Sequence, residues 1–225
     1  VSDEDASLER ASIDGSHLSP VIGEQLPLGR AQLVAFPTTA EQIAEVVGAA
    51  VRHGVPITPR GKGTGNYGQG IPMSGGLVLD TSKARAIIEV GDGYLIADAG
   101  ATMIALEQAA AKTGQQLPMY PSTAQSTLGG FVSGGSGGTG AIKNGMLHTG
   151  FVTALDVVHA VPDAQLVHLE GEATEPRRRR RRRGSPPAAP ACARSSTSPP
   201  STRRARSSRP RAGGSKTSAR APKRP

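Results

Sequence analysis

The chain has one cysteine, Cys192, so no intrachain disulfide can form and a reducing compartment is the default. No stretch approaches the roughly 18 consecutive apolar residues of a membrane-spanning helix. The opening residues, VSDEDASLER, are acidic and lack the apolar run of a secretory leader. These absences lead to the expectation of a cytoplasmic protein without a membrane span. Val1 stands where a methionine would open a reading frame, which fits a fragment and an unusual start codon equally. The last part of the chain lacks more. Residues 177–225 contain no Asp or Glu, and no Val, Ile, Leu, Met, Phe, Tyr or Trp. Such a stretch has too little apolar surface to offset the entropy of ordering its backbone, so it is expected to be disordered.

The formal net charge of +8 therefore averages two unlike segments. Residues 1–176 carry 9 Lys/Arg against all 18 Asp/Glu, whereas 177–225 carry the other 17 Lys/Arg. Two accounts of the basic tail stand. Arg177 to Arg183 form an unbroken run suited to phosphates, as in an arm for nucleic acid or another polyanion. Alternatively, the dominance of Arg, Pro, Ala and Gly, whose codons can consist of G and C alone, marks translation in a shifted reading frame. The abrupt passage from LVHLEGEATEP to RRRRRRRGSPP favours the second.

Residues 1–32 are polar and read as an irregular lead-in. Leu33 to Phe36 is a short apolar run closed by Pro37, expected as a strand. Thr38 or Thr39 then caps a helix with Ile43, Val46, Val47 and Val51 at helical spacing, stopped at Gly54. Val55 to Thr58 reads as a strand, giving a βαβ opening. Leu77 to Asp80 is another strand. Ile87 to Val90 and Tyr94 to Asp98 form a hairpin around Gly91-Asp92-Gly93. Thr102 to Thr113 is a helix, and Leu155 to Val161 and Leu166 to Leu169 are short strands.

Two glycine-rich stretches separate these elements, PRGKGTGNYGQGIPMSGG at Pro59 to Gly76 and PSTAQSTLGGFVSGGSGGTG at Pro121 to Gly140. Glycine after a strand lets backbone N–H groups approach an anion, and Arg60 and Lys62 add positive charge to the first stretch. Two G-x-G-x-x-G matches occur, at Gly63, Gly65 and Gly68 and at Gly135, Gly137 and Gly140. Neither is followed by the helix that a nicotinamide-type Rossmann site requires, so that reading is rejected. No G-K-[ST] is present, which removes the P-loop reading as well.

In combination, P-R-G-x-G-T-G at Pro59 to Gly65 and P-S-x-x-x-x-T-L-G-G at Pro121 to Gly130 resemble the FAD-binding domain of the vanillyl-alcohol oxidase / p-cresol methylhydroxylase (PCMH-type) family. The lead-in FPTTAEQIAEVVGAAVRHGVPITPRGKGTGNYGQ and the middle pieces GGLVLDTSK and IIEVGDGYLIADAGAT occur in family order. Within the family the chain is similar to the glycolate oxidase and D-lactate dehydrogenase type, over about residues 33–170.

The resemblance implies an α+β fold of two α+β subdomains with FAD between them. Residues 33–176 would form an FAD-binding domain, incomplete at its C-terminus, with residues 177–225 as a disordered tail. The backbone of Arg60, Gly61, Lys62, Gly63, Thr64, Gly65 and Asn66 would wrap the FAD diphosphate. Pro121, Ser122, Thr127, Leu128, Gly129 and Gly130 would contact the diphosphate and the isoalloxazine side. Ser133, Gly135, Ser136 and Gly138 would continue along the flavin. Some family members attach flavin through a histidine in the first loop, where this chain has Thr64, so non-covalent FAD is expected from that loop. Gly135 stands where an asparagine is often found. The activity implied is oxidation of a small organic substrate, such as a 2-hydroxy acid, by hydride transfer to flavin. The catalytic base and the substrate-binding groups would come from a second domain, so none is named, and no metal ligands are assigned. His53, His148, His159 and His168 read as helix-end, structural or solvated groups, and Tyr67 and Tyr120 as packing or flavin-side aromatics. The alternative is a non-catalytic remnant whose tail binds a polyanion.

Overall fold

The N-terminal residues are helical before they reach the first strand. In the computed structural model, which describes residues 1–26, 28–135 and 137–171, α1 spans Asp5–Ala11 and α2 spans Pro20–Gln25. Ser136 and the expected tail from 177 lie outside the described residues. The irregular lead-in is thus corrected. Ser7 and Ala11, four residues apart, give α1 one small-residue face. Ala11 and Leu8 pack there with Ala31, Val34 and Val78.

Next come β1 (Leu33–Ala35), α3 (Ala40–Arg52), β2 (Ile57–Arg60) and β3 (Leu77–Asp80). The three strands form a parallel sheet in the order β1-β3-β2, so the chain crosses over β3's place and later returns to fill it. As the centre of a sheet covered on both faces, β3 buries Leu77, Val78 and Leu79 in succession. The Thr39 hydroxyl caps α3 by accepting from the Gln42 N–H, and the Gln42 side chain accepts in return from the Thr38 N–H at 2.8 Å. Val47 and Ala50 carry α3 onto Ala35, Leu77 and Leu79. Gly54, at φ +63°, ends it where the sequence places the stop.

Strand β2 begins two residues later than Val55. The Val55 N–H is used by the helix end, donating to the Ala50 carbonyl, and Pro56 has no N–H, so the ladder starts at Ile57. The shift places Arg60 on the last strand position, opposite Asp80.

The second subdomain contains the hairpin β4 (Ile87–Val90) and β5 (Leu95–Ala97), turned at Gly93, then α4 (Met103–Ala111), α5 (Leu128–Ser133) and α6 (Ala141–Asn144). Met103, Leu106, Leu117, Met119, Phe131 and Leu147 form its core, and Phe131 meets Phe151 edge to face at 6.0 Å. The last hairpin, β6 (Ala154–Val158) and β7 (Leu166–Glu170), returns to the first subdomain, where Val158 and Ala164 pack against the α3 core. Strand β6 stops at Val158 rather than Val161 because the chain turns there, with the Val161 N–H donating to the His159 carbonyl. The result is a mixed helix and strand fold, with an apolar cluster on each face of the parallel sheet and a third in the second subdomain. Among the described residues no helix is long and apolar enough to cross a membrane.

Two outcomes are expected. Leu106 is 1% exposed at the centre of the second core, so Leu106→Ala should cost about 2–5 kcal/mol in a urea titration. On the exposed β6–β7 hairpin, His168 faces Asp156 across the strands, Nδ1 to Oδ1 2.7 Å, with Glu170 Oε1 at 3.5 Å from Nε2. The hydrogen bond to Asp156 raises the His168 pKa above its ordinary 6.5, assisted by the Asp156 and Glu170 charges and opposed by a slight loss of hydration. The pair therefore contributes fully at pH below the ordinary value, and its contribution is lost as pH rises through the raised one. An NMR titration should show His168 moving down towards 6.5 in Asp156→Asn.

Candidate functional site

The two glycine-rich stretches meet at one point. A β-carbon on Gly61 would lie 2.0 Å from the Thr127 hydroxyl oxygen and 2.9 Å from its Cβ, so only glycine allows this approach. Beside it, the Thr64 and Ser126 hydroxyls share a hydrogen bond of 2.9 Å. Gly61 and Thr64 from the first stretch thus face Ser126 and Thr127 from the second.

The second stretch is held rigidly by the segment that leads into α4. The Met103 and Ile104 N–H groups, left free at the start of a helix, donate to the Ser126 and Ala124 carbonyls. In the other direction, the Leu128 and Gly129 N–H groups donate to the Ala101 and Ala99 carbonyls, each at 2.8 Å. Gly129 makes this possible, since a β-carbon there would meet the Ala99 Cβ at 2.8 Å. Helix α5 carries two glycines in six residues and is intrinsically weak. It persists because Thr127, 3% exposed, accepts from the Gly130 N–H, and because Phe131 and Leu128 enter the second core. Leu128 is therefore an anchor.

The first stretch is the opposite case. Among the described residues, none of the N–H groups from Gly61 to Asn66 donates to a protein acceptor. Backbone N–H groups rarely go without a partner unless water or a ligand supplies one. A run of free amides after a strand is an anion receiver. A cleft of about 380 Å³ adjoins it, bordered by Lys62, Ser82, Arg85, Thr102 and Gln125. It draws on both stretches and carries two cations and no acid. A larger cleft of about 430 Å³ lies between α1 and the C-terminal ends of the sheet, around Arg10, Arg60 and Asp80. Only the smaller one borders both stretches.

Not every expected residue faces this junction. The Arg60 side chain, expected to add charge to the first loop, turns to α1: its Nη1 donates to the Arg10, Ala11 and Ile13 carbonyls. Pro121 and Ser122 precede a turn closed by the Ser126 N–H on the Thr123 carbonyl. Ser133 and Gly135 lie at the far end of α5, and Gly138 lies against the Tyr120 carbonyl; no hydrogen bond among the described residues links these three to the Gly61–Asn66 loop. Gly130 donates its N–H to the Thr127 hydroxyl and accepts from the Gly134 N–H within α5. Ser136 lies outside the described residues. Tyr67 is 90% exposed and packs in none of the three apolar clusters. One helical turn, α6, does follow Gly140, though it is four residues long and has no side-chain cap.

Sequence reasoning missed Ser126, Arg85 and Asp14. Ser126 was within reach, being next to the capping Thr127. Arg85 was not, because it lies between β3 and β4 and only the folded chain sets it on the cleft that Lys62 borders. Asp14 accepts from the Gly70 N–H at 3.2 Å and from the Ser16 N–H at 2.9 Å. Burial alone would push its carboxyl up, but the bonds from Ser16 and Gly70 and the Arg60 charge outweigh this and hold it below the ordinary value.

A protein-family model described as "FAD binding domain" matches residues 31–170. An FAD-linked oxidoreductase of Mycobacterium tuberculosis is 35% identical over 114 residues, covering 50% of this chain and 25% of that protein. The D-lactate dehydrogenase of Archaeoglobus fulgidus is 29% identical over 141 residues, 62% of this chain and 31% of that one. The glycolate oxidase subunit GlcD of Bacillus subtilis is 34% identical over 133 residues, 58% of this chain and 28% of the subunit. The chain spans about a quarter to a third of the length of these relatives. Among solved structures, an alkyldihydroxyacetonephosphate synthase superposes with a TM-score of 0.63 at 22% identity, over 77% of this chain and 33% of that one, which shows a shared fold.

The junction is testable without any ligand. Gly61→Ala should lower the thermal midpoint, since its β-carbon overlaps Thr127. Thr127→Ala should cost about 1 kcal/mol through the lost cap. The double variant should be less destabilised than the sum, because removing the hydroxyl and methyl eases the overlap to one Cβ–Cβ contact of 2.9 Å; an additive cycle would mean the two stretches do not touch.

Proposed function

We propose, from the premise that the chain belongs to the FAD binding domain family over residues 31–170, that its two-stretch junction is the diphosphate site of a flavin-dependent oxidoreductase. One observation carries this: the consecutive amides of Gly61 to Asn66 have no protein acceptor among the described residues, whereas in the facing stretch Ser126, Leu128 and Gly129 donate to backbone carbonyls. A diphosphate supplies acceptors that match such a run. The donor set fits the cofactor of the family, FAD.

In this reading Gly61, Lys62, Gly63, Thr64, Gly65 and Asn66 bind the diphosphate through their N–H groups. The Lys62 and Arg85 side chains lower its charge from the adjoining cleft. Ser126 fixes the loop by its bond to Thr64, and Thr127 sets the spacing against Gly61. Arg60 contributes its backbone position. Pro121, Ser122, Gly129 and Gly130 line the side from which the isoalloxazine is approached, with Ser133 to Gly138 further along. Thr64 is engaged with Ser126 and offers no nucleophile of the imidazole kind, so flavin held by this loop is non-covalent. FAD held by these residues would supply the acceptor for a hydride from substrate. The similarity to proteins named D-lactate dehydrogenase and glycolate oxidase supports a small 2-hydroxy acid as the substrate of the whole protein.

Titrating FAD into the purified chain should quench flavin fluorescence with saturation, and Lys62→Glu should weaken binding roughly tenfold, the loss of a charge-assisted contact and the gain of a repulsive one. A chain that leaves FAD fluorescence unchanged would remove the cofactor assignment. In the whole protein, anaerobic D-lactate or glycolate should bleach the bound flavin, and bleaching by neither would remove the 2-hydroxy acid.

A further inference from the structure

Residues 1–30 precede the part that matches the family model, yet several of their groups close around the glycine loop. The Arg60 guanidinium leaves the end of β2 and enters the C-terminus of α1, where Nη1 donates to the carbonyls of Arg10 (3.2 Å), Ala11 (2.9 Å) and Ile13 (2.8 Å). A helix leaves such carbonyls without partners, and a guanidinium fork suits several at once. On its other side the same group lies under the loop: a β-carbon on Gly63 would come within 1.9 Å of Nη2. Its Nε is buried without an acceptor. The turn after α1 makes a second contact. Asp14 accepts from the Gly70 N–H, and Gly15 lies so close that a β-carbon would meet the Gly65 carbonyl at 3.0 Å and the Thr64 carbonyl at 3.4 Å.

We infer that residues 1–16 form a brace built into the diphosphate site, and that Arg60 is a positioning residue which acts on the cofactor through the shape of the Gly61–Asn66 loop. The ligand's identity rests on the FAD reading above; the brace itself does not. The physical need is clear. A loop with three glycines in six positions loses much backbone entropy when it orders, and its free amides give back nothing until an anion arrives. A brace that orders the loop beforehand removes that cost from binding. The guanidinium is hydrogen-bonded to the end of α1 on one side and packed against Gly63 on the other, so its contribution is geometric.

Two variants of the full chain separate shape from charge, Arg60→Lys and Asp14→Asn. Arg60→Lys keeps the charge and loses the fork; Asp14→Asn removes a negative charge and one of two acceptors. ¹⁵N relaxation of the ligand-free protein should show Gly61 to Asn66 ordered as in rigid backbone, near S² of about 0.85, and falling towards 0.6 or below in both variants. Affinity for FAD and for ADP should fall roughly tenfold or more in both, the scale of a lost hydrogen bond to a charged group. If charge at the site decided binding, Asp14→Asn would tighten it and Arg60→Lys would leave it unchanged. That result, or unaltered order in Asp14→Asn, overturns the brace. Should Arg60→Lys not fold, Asp14→Asn alone decides. If the unaltered chain binds no FAD, the cofactor reading fails and relaxation still tests the brace.

Discussion

The contact between Gly61 and Thr127 leaves no space for a β-carbon, and the rest of the site depends on it. It brings the end of the parallel sheet within reach of the cap of α5, and so joins two subdomains with separate cores. Thr127 does two things there. It caps a short, glycine-containing helix, and it presents a small branched side chain against which only glycine fits. The Thr64–Ser126 bond then fixes the rotation of the loop about this point.

Hydrogen-bond accounting separates framework from receiver. The second stretch exchanges backbone bonds in both directions with the residues before and within the first turn of α4, so the Leu128 and Gly129 amides are part of the fold. The first stretch spends none of its amides between Gly61 and Asn66 on protein acceptors among the described residues. Glycine serves different ends in the two. At Gly129 it permits close packing on Ala99, whereas at Gly63 it permits a left-handed backbone directly over a guanidinium. Lys62 and Arg85, the two cations at the adjoining cleft, make this side of the junction suited to an anion.

Much of the fold was legible because local interactions decide it. The cap at Thr39, the apolar spacing of α3, the stop at Gly54, the strand Leu77–Asp80 and the hairpin at Gly93 all follow from residues within a few positions of each other. Where expectations missed, the cause was a competing partner. Val55 was claimed by the helix end, which moved β2 by two residues. His159 and Val161 turned on each other, which shortened β6. The lead-in was read as irregular because Leu8 and Ala11 are few and small; their value comes from Val34 and Val78, which they meet only in the folded chain.

By itself, the sequence determined α3, α4 and most strands, the two glycine-rich stretches and the family to which their order belongs. These rest on covalent geometry and on interactions one helical turn or one hairpin apart. The tertiary structure alone decided which groups meet: Thr64 with Ser126, Arg85 beside Lys62, and Arg60 turned into α1. The partners of Arg60 lie about fifty positions away along the chain. An arginine next to a glycine loop offers the same five donors whether it faces a ligand or a helix end. Which one it meets depends on where packing puts the free carbonyls, and no local pattern of residues encodes that.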